Sequence, residues 1–245
     1  MLKYLIITSL LMFGCATKDV ILKTIPQGQR ESQASLDVRG KTITTYIAYQ
    51  AEKQLSNMDE ESVLELITSN YEAIESDLRA WARQRGYPLL DVEKTADYER
   101  YYIEKKQPKK NPKKVAVIIT DPGLTTSLTP LGFALAAALQ GAELHIYIQG
   151  PAVKMLETGF KAKLPGFSRP FSGFARDQLA DIGHIPPQEK LKQLHELGAH
   201  LYICAPSLDY FKVARNKLIF DDLPVIEYLS FMEIMSQADI QYFTQ

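Results

Sequence analysis

Cysteine is almost absent. The 245 residues hold two, Cys15 and Cys204, which excludes a disulfide-stapled scaffold. Histidine is also scarce, with four residues, and none has the His/Cys spacing of a zinc site, so no metal is expected. A long apolar run is missing too. The stretch from Leu5 to Gly14, broken by Thr8 and Ser9, is about half of the roughly 20 residues a transmembrane helix needs. Neither charge sign dominates: 28 basic against 29 acidic residues leave a formal charge of -1, without the electrostatic footprint of a nucleic-acid binder. "DPGLTTS", residues 121–127, lacks the Gly-Lys-Ser/Thr ending of a phosphate loop, and nothing else calls for a cofactor. What is present, 46% hydrophobic and 23% charged residues, suffices to bury a core in one or two domains.

Lys3 followed by the short apolar run has the profile of an export signal, to be left out of the fold. The run ends in "LMFGC", residues 11–15, which resembles the cleavage junction of a bacterial lipoprotein. The resemblance implies a signal peptide over 1–14, lipidation of Cys15 and a tether over 15–35. It also implies a protein anchored to a membrane of the cell envelope. Ala16 follows Cys15 where an aspartate is associated with inner-membrane retention, so in a Gram-negative host the expected place is the outer membrane, facing the periplasm. A lipidated Cys15 leaves Cys204 without an intrachain partner. Two readings of Cys204 then stand, a reactive or intermolecularly bonded thiol and a small inert core residue.

A second connector, "KKQPKKNPKK" at 105–114, combines like charges with two prolines and reads as an exposed domain boundary. Between the connectors the hydrophobic period changes in order. "LDVR" is strand-like, 44–58 has helical spacing, "SVLELITS" alternates, 71–88 reads as a helix closed by Gly86 and Pro88, and "LLDVEK" and "YERYYIEK" suggest two more strands. The expected unit, residues 36–106, is a two-layer β-α-β-α-β-β sandwich joined by a linker at 107–113 to residues 114–245. "LDVRG" with its following helix, strand and second helix ending "WARQRGY" resembles the TusA/SirA family of small sulfur carriers. That family carries a Cys-Pro-x-Pro motif at the start of the first helix. Here "KTITTY" places Ile43, Thr44 and Tyr46 at those positions, and an alkyl or hydroxyl group cannot exchange sulfane sulfur as a thiolate does.

In the second half "KVAVIIT" is a near-continuous apolar run, as in a parallel strand covered on both faces. Helical and strand patterns then alternate through "PLGFALAAALQ", "ELHIYIQ", a helix near Val153, "PQEKLKQLHELGA", "HLYIC", a short helix after Pro206, "VIEYLSFMEIMSQ" and "DIQYFT". The expectation is a doubly wound, parallel α/β sheet. Ligands of such sheets bind beyond the carboxyl ends of the strands. Cys204 stands at one such end, Asp121, Thr125 and Thr126 follow another, and Gln149 closes a third. Pro206 and Ser207 suggest a helix start capped by Ser207, where amide groups and the helix dipole favour a thiolate.

The order of elements, with "CAPSLD" at 204–209 and "LKQLHELGAHLYIC" before it, resembles the DsrE/DsrF-like family of sulfur-relay proteins. The resemblance implies a persulfide on Cys204, Ser207 and Asp209 in its turn, homo- or hetero-oligomers, and partners that donate or accept sulfane sulfur. The long segment 159–187 carries Phe160, Phe167, Phe171 and Phe174 among glycines, Arg169 and Arg176. It reads as a lid over the sulfur site, as a partner-binding surface, or as a loop packed on its domain. His184 within it is a candidate for proton transfer from the thiol.

Overall fold

The computed structural model describes residues 32–244, so the expected signal peptide and Cys15 lie outside the described residues. The first unit is built from β1 (Ala34–Asp37), α1 (Thr44–Ser56), β2 (Val63–Ser69), α2 (Glu72–Arg85), β3 (Leu89–Lys94) and β4 (Tyr98–Glu104). Its sheet has the order β1-β2-β4-β3, with β1 and β2 parallel and the remaining pairs antiparallel. Strict alternation in "VLELITS" buries Leu64, Leu66 and Thr68 under the helices. Glu65, Arg100 and Glu93 form a charged network on the other face, which makes this a two-layer unit.

Helix α2 ends where Gly86 adopts a left-handed conformation at φ 77°. Across the helix pair, Arg85 forms an ion pair with the buried carboxylate of Glu52, which also accepts a hydrogen bond from the Tyr87 hydroxyl at 3.0 Å. Strand pairing in β1 includes residues ahead of Leu36. Ala34 pairs with Leu64, and the Gln33 amide donates to Val63. Ladder bonding recruits these residues, of which only Ala34 packs against the core.

The second unit comprises β5 (Lys114–Ile119), α3 (Leu128–Leu139), β6 (Glu143–Ile148), α4 (Ser172–Asp181), α5 (Pro187–Glu196), β7 (His200–Cys204), α6 (Ala205–Phe211), β8 (Val225–Ile226), α7 (Tyr228–Ser236) and β9 (Ile240–Phe243). All five strands are parallel, in the order β8-β7-β6-β5-β9. The two faces are covered unequally. Val115, Val117, Ile119, Leu144, Ile146, Ile148, Leu201 and Ile203 pack with buried residues of α3 and α5. On the opposite face Ala116, Tyr147 and Cys204 pack against Phe231 and Met235 of α7.

The helix expected near Val153 is a 3₁₀ helix over Gly150–Leu156, with Ala152, Val153, Met155 and Leu156 all buried. The segment after it is also partly helical, a 3₁₀ stretch at Gly166–Phe171 leading into α4. The two units share one continuous hydrophobic cluster, and α1 lies against α3. The connector is exposed at Lys109, Lys110 and Lys113, but Lys105 at its start is buried, and its backbone is held on both sides: the Lys109 amide donates to Arg85 and the Asn111 amide to Gly141.

Candidate functional site at the carboxyl end of the parallel sheet

Strand β7 ends at Cys204, at the carboxyl end of the sheet, and α6 begins at the next residue. Cys204, with extended backbone angles (φ -73°, ψ 115°), occupies the position preceding the first turn. Ser207 is therefore not the cap. It lies inside the helix, buried, and its hydroxyl accepts a 2.8 Å hydrogen bond from the Gly150 amide. It joins the β7 end to the β6 end instead.

The Cys204 side chain is free and fully buried. Residues alternate across a strand, so Leu201 and Ile203 face α3 and α5 while Tyr202 and Cys204 face α7. Around the sulfur, the Tyr147 ring stacks on Phe231 at 4.6 Å and meets Tyr228 edge-on at 6.2 Å. The Tyr147 hydroxyl donates to the Ile226 carbonyl at 3.5 Å. Burial, followed by hydrogen bonding to Cys204, pushes the Tyr147 phenol well above its ordinary range. The Tyr228 phenol is also raised, first by its electrostatic interaction with Cys204 and then by burial. Two phenols that hold their protons therefore border one thiol. Neither aromatic contact was evident from sequence, although the alternation of Glu143, His145 and Tyr147 already set these three side chains on one strand face.

The remaining candidates form a different place. Asp121, Thr125 and Thr126 line an open cleft of about 720 Å³ with Gly123, Lys154, Phe160, Lys161, Lys163 and Arg169, and Cys204 is not part of its wall. The Asp121 carboxylate accepts hydrogen bonds from the Gly123 amide and the Thr126 hydroxyl, both at 2.6 Å. Gln149 precedes the 3₁₀ helix, its amide donating to Ile119. His184 lies in a narrow crevice with Leu128, Arg176 and Leu179. Its ring is held below the usual imidazole range by burial and then by the Lys190 charge. Asp209 is exposed on α6. The structure thus groups Asp121, Thr125 and Thr126 in a cleft whose wall does not include Cys204, and links Ser207 to the β6 end.

The start of α1 is covered by the second unit. The amides of Thr42 and Ile43 both donate to the Ile182 carbonyl, at 3.0 and 3.2 Å. The Lys41 ammonium donates to the carbonyls of Ala180 and Asp181 at 3.1 and 2.9 Å. Gly183, at φ 98°, approaches Ile43 and Tyr46 so closely that a Cβ there would sit 3.4 Å from both. The Tyr49 hydroxyl donates to Glu196 one turn further along.

These positions bear on relationship. The model of the DsrE/DsrF-like family matches residues 113–242, more than half of the chain and all of the parallel sheet but its last residue, Phe243. The chain belongs to the DsrE/DsrF-like family. Residues 48–105 match the model described as sulfurtransferase TusA, beginning two residues beyond Tyr46. A TusA domain is therefore followed by a DsrE/DsrF-like domain, and both families belong to sulfur relays. No curated protein matches the chain. Among solved structures, the crystal structure of the ychN protein from E. coli is similar at 18% identity and a TM-score of 0.40, over 54% of this chain and 99% of that one. A likeness at that score carries no weight here.

Proposed function

We propose that this member of the DsrE/DsrF-like family is an envelope-anchored sulfur-trafficking protein in which Cys204 carries sulfane sulfur as a persulfide. The observation that carries the reading is the placement of Cys204, the only cysteine among the described residues, at the carboxyl end of an inner parallel strand beside the phenols of Tyr147 and Tyr228. In the loading step the Cys204 thiolate attacks the outer sulfur of a persulfide donor. A new S–S bond forms on Cys204, the donor S–S bond breaks, and the donor leaves as a thiolate. In the unloading step a partner thiolate attacks the same outer sulfur, and Cys204 is released as a thiolate. The sequence is redox-neutral and needs no external oxidant. A phenolic hydrogen turned toward the sulfur stabilises its negative charge in either form.

The TusA domain has Ile43, Thr44 and Tyr46 where a carrier Cys-Pro-x-Pro motif stands in its relatives, and its helix start is occupied by the Ala180–Gly183 backbone. In this reading it supplies structure and docking rather than a second thiol. Lipidation of Cys15 places the assembly at the membrane, and donor, acceptor and further copies of the chain are its partners.

A second reading, an interaction module that has kept the fold without the chemistry, is favoured by one observation, the complete burial of Cys204. Intact mass after incubation with a polysulfide donor separates the two. The full chain carrying Cys15→Ala is expected to gain sulfur that reductant removes and that a Cys204→Ser chain does not gain. An unchanged mass under conditions that load a free thiol peptide refutes the carrier and leaves the interaction module.

A further inference from the structure

The segment between Gly159 and Arg176 is unlike the rest of the surface. Phe167, Phe171 and Phe174 are 103%, 67% and 65% exposed, on consecutive helical turns. Single exposed apolar residues are unremarkable on a soluble protein, but three large aromatic rings in eight residues form a patch. Phe160, the fourth phenylalanine, packs against the core and fixes the base of the segment, as does Arg176, which donates to the Ala162 carbonyl at 2.9 Å.

The charge around the patch has one sign. From Gly159 to Arg176 the chain carries Lys161, Lys163, Arg169 and Arg176 and no carboxylate; Asp177 and Asp181 lie further along α4. Among the described residues Lys161, Lys163 and Arg169 pair with no carboxylate. They line the 720 Å³ cleft together with Lys154, whose ammonium lies 5.3 Å from the centre of the Phe211 ring. Asp121 is the one acidic side chain in that wall, and Gly123 and Thr126 already engage it.

We propose that this surface docks on an anionic lipid bilayer. Phe167, Phe171 and Phe174 enter the headgroup and acyl boundary, and the cleft with Lys154, Lys161, Lys163 and Arg169 receives lipid phosphate. Phenylalanine flanked by Lys and Arg is the composition of interfacial anchors, and basic side chains near an anionic leaflet add electrostatic attraction within a Debye length. A protein partner for the rings alone needs no such charge, whereas an unpaired cationic rim around aromatic tips complements a sheet of phosphates. The contact is separate from Cys15, and it holds the DsrE/DsrF-like domain in a set orientation on the membrane.

The test places a local probe in the full chain. Phe167→Trp adds an indole at the patch; Trp81, the only native tryptophan, is buried and contributes a constant background. Asn57→Trp, exposed at the opposite end of α1 from Gly183, is the reference position. Each chain is mixed with phosphatidylcholine vesicles and with phosphatidylcholine/phosphatidylglycerol vesicles, both with brominated acyl chains. Attachment through another part of the chain brings the protein to both vesicle types, so only local quenching that depends on lipid charge reports this surface.

The expected result is loss of most of the added emission, with a blue shift, for Phe167→Trp on the anionic vesicles alone. Asn57→Trp is unquenched, and Lys161→Glu with Lys163→Glu in the Phe167→Trp chain abolishes the loss. Equal quenching at both positions, equal quenching on neutral lipid, or no quenching overturns the proposal and returns the patch to a protein partner.

Discussion

If α7 is the cover over Cys204, weakening its anchor must open the thiol to reagents. The helix is fastened to the sheet through Phe231 and Met235, the buried members of its inner face. Full burial of such side chains contributes about 1.5–3 kcal/mol each. Phe231→Ala removes one of the two fastenings and the ring stacked on Tyr147. With a factor of ten for every ~1.4 kcal/mol, the open population is expected to rise roughly 10- to 150-fold. The assay is iodoacetamide modification of Cys204 in native buffer, followed by intact mass, in a chain that carries Cys15→Ala. When opening and closing are fast, the modification rate follows the open population.

Global destabilisation is distinguished by Leu64→Ala, which hollows the core of the TusA sheet without touching α7. It is expected to lower the denaturation midpoint and leave the alkylation rate in native buffer nearly unchanged. The reasoning is refuted if wild-type Cys204 reacts as fast as an unfolded thiol, if Phe231→Ala leaves the rate as it was, or if Leu64→Ala accelerates it equally.

Two further predictions concern the packing that holds the units. Lys190 is buried on α5, its ammonium has no hydrogen-bond partner among the described residues, and burial lowers its pKa from 10.5 to about 8. The unfolded chain therefore binds more protons between those values, stability rises as pH rises through that window, and the charged form costs about 3 kcal/mol at neutral pH. Lys190→Met is expected to stabilise the protein at pH 7 and to flatten its urea midpoint between pH 8 and 10.5; a midpoint lowered at pH 7 refutes this. Gly183→Ala places a Cβ 3.4 Å from Ile43 and Tyr46 at a positive φ. Left-handed strain costs roughly 1–2 kcal/mol, so urea unfolding is expected to show a loss of at least that size; an unchanged midpoint shows that the contact between the units yields without cost.

Much of the architecture was legible because local periodicity and buried faces coincide. The alternation of "VLELITS", the glycine stop at Gly86 and the unbroken apolar "KVAVII" each correspond to an observed element. Legibility failed where backbone bonding or collective burial outweighs side-chain pattern. Ala34 and Ser35 became strand by pairing with β2, whereas the helix expected near Val153 is present and only its 3₁₀ winding, with four side chains buried, went unread. Phe167, Phe171 and Phe174 were conspicuous as letters, but that they point outward while Phe160 points inward depends on how α4 is pinned by Arg176 and Ser172.

The site divides in the same way. Sequence alone determined that Cys204 ends a parallel strand, that the acidic and threonine residues after β5 stand at the same end of the sheet, and that the first unit holds no cysteine, because strand position and residue identity are properties of the linear chain. Tertiary structure decided the rest. In the apolar run "HLYIC" no alternation marks a face, so only the packing of α7 against Tyr147, Tyr202 and Cys204 determines that the sulfur is sealed from water outside the wall of the Asp121 cleft. Likewise only the meeting of the two units brings the Ile182 carbonyl to the amides of Thr42 and Ile43, since that contact joins residues about 140 positions apart and depends on burial common to both domains.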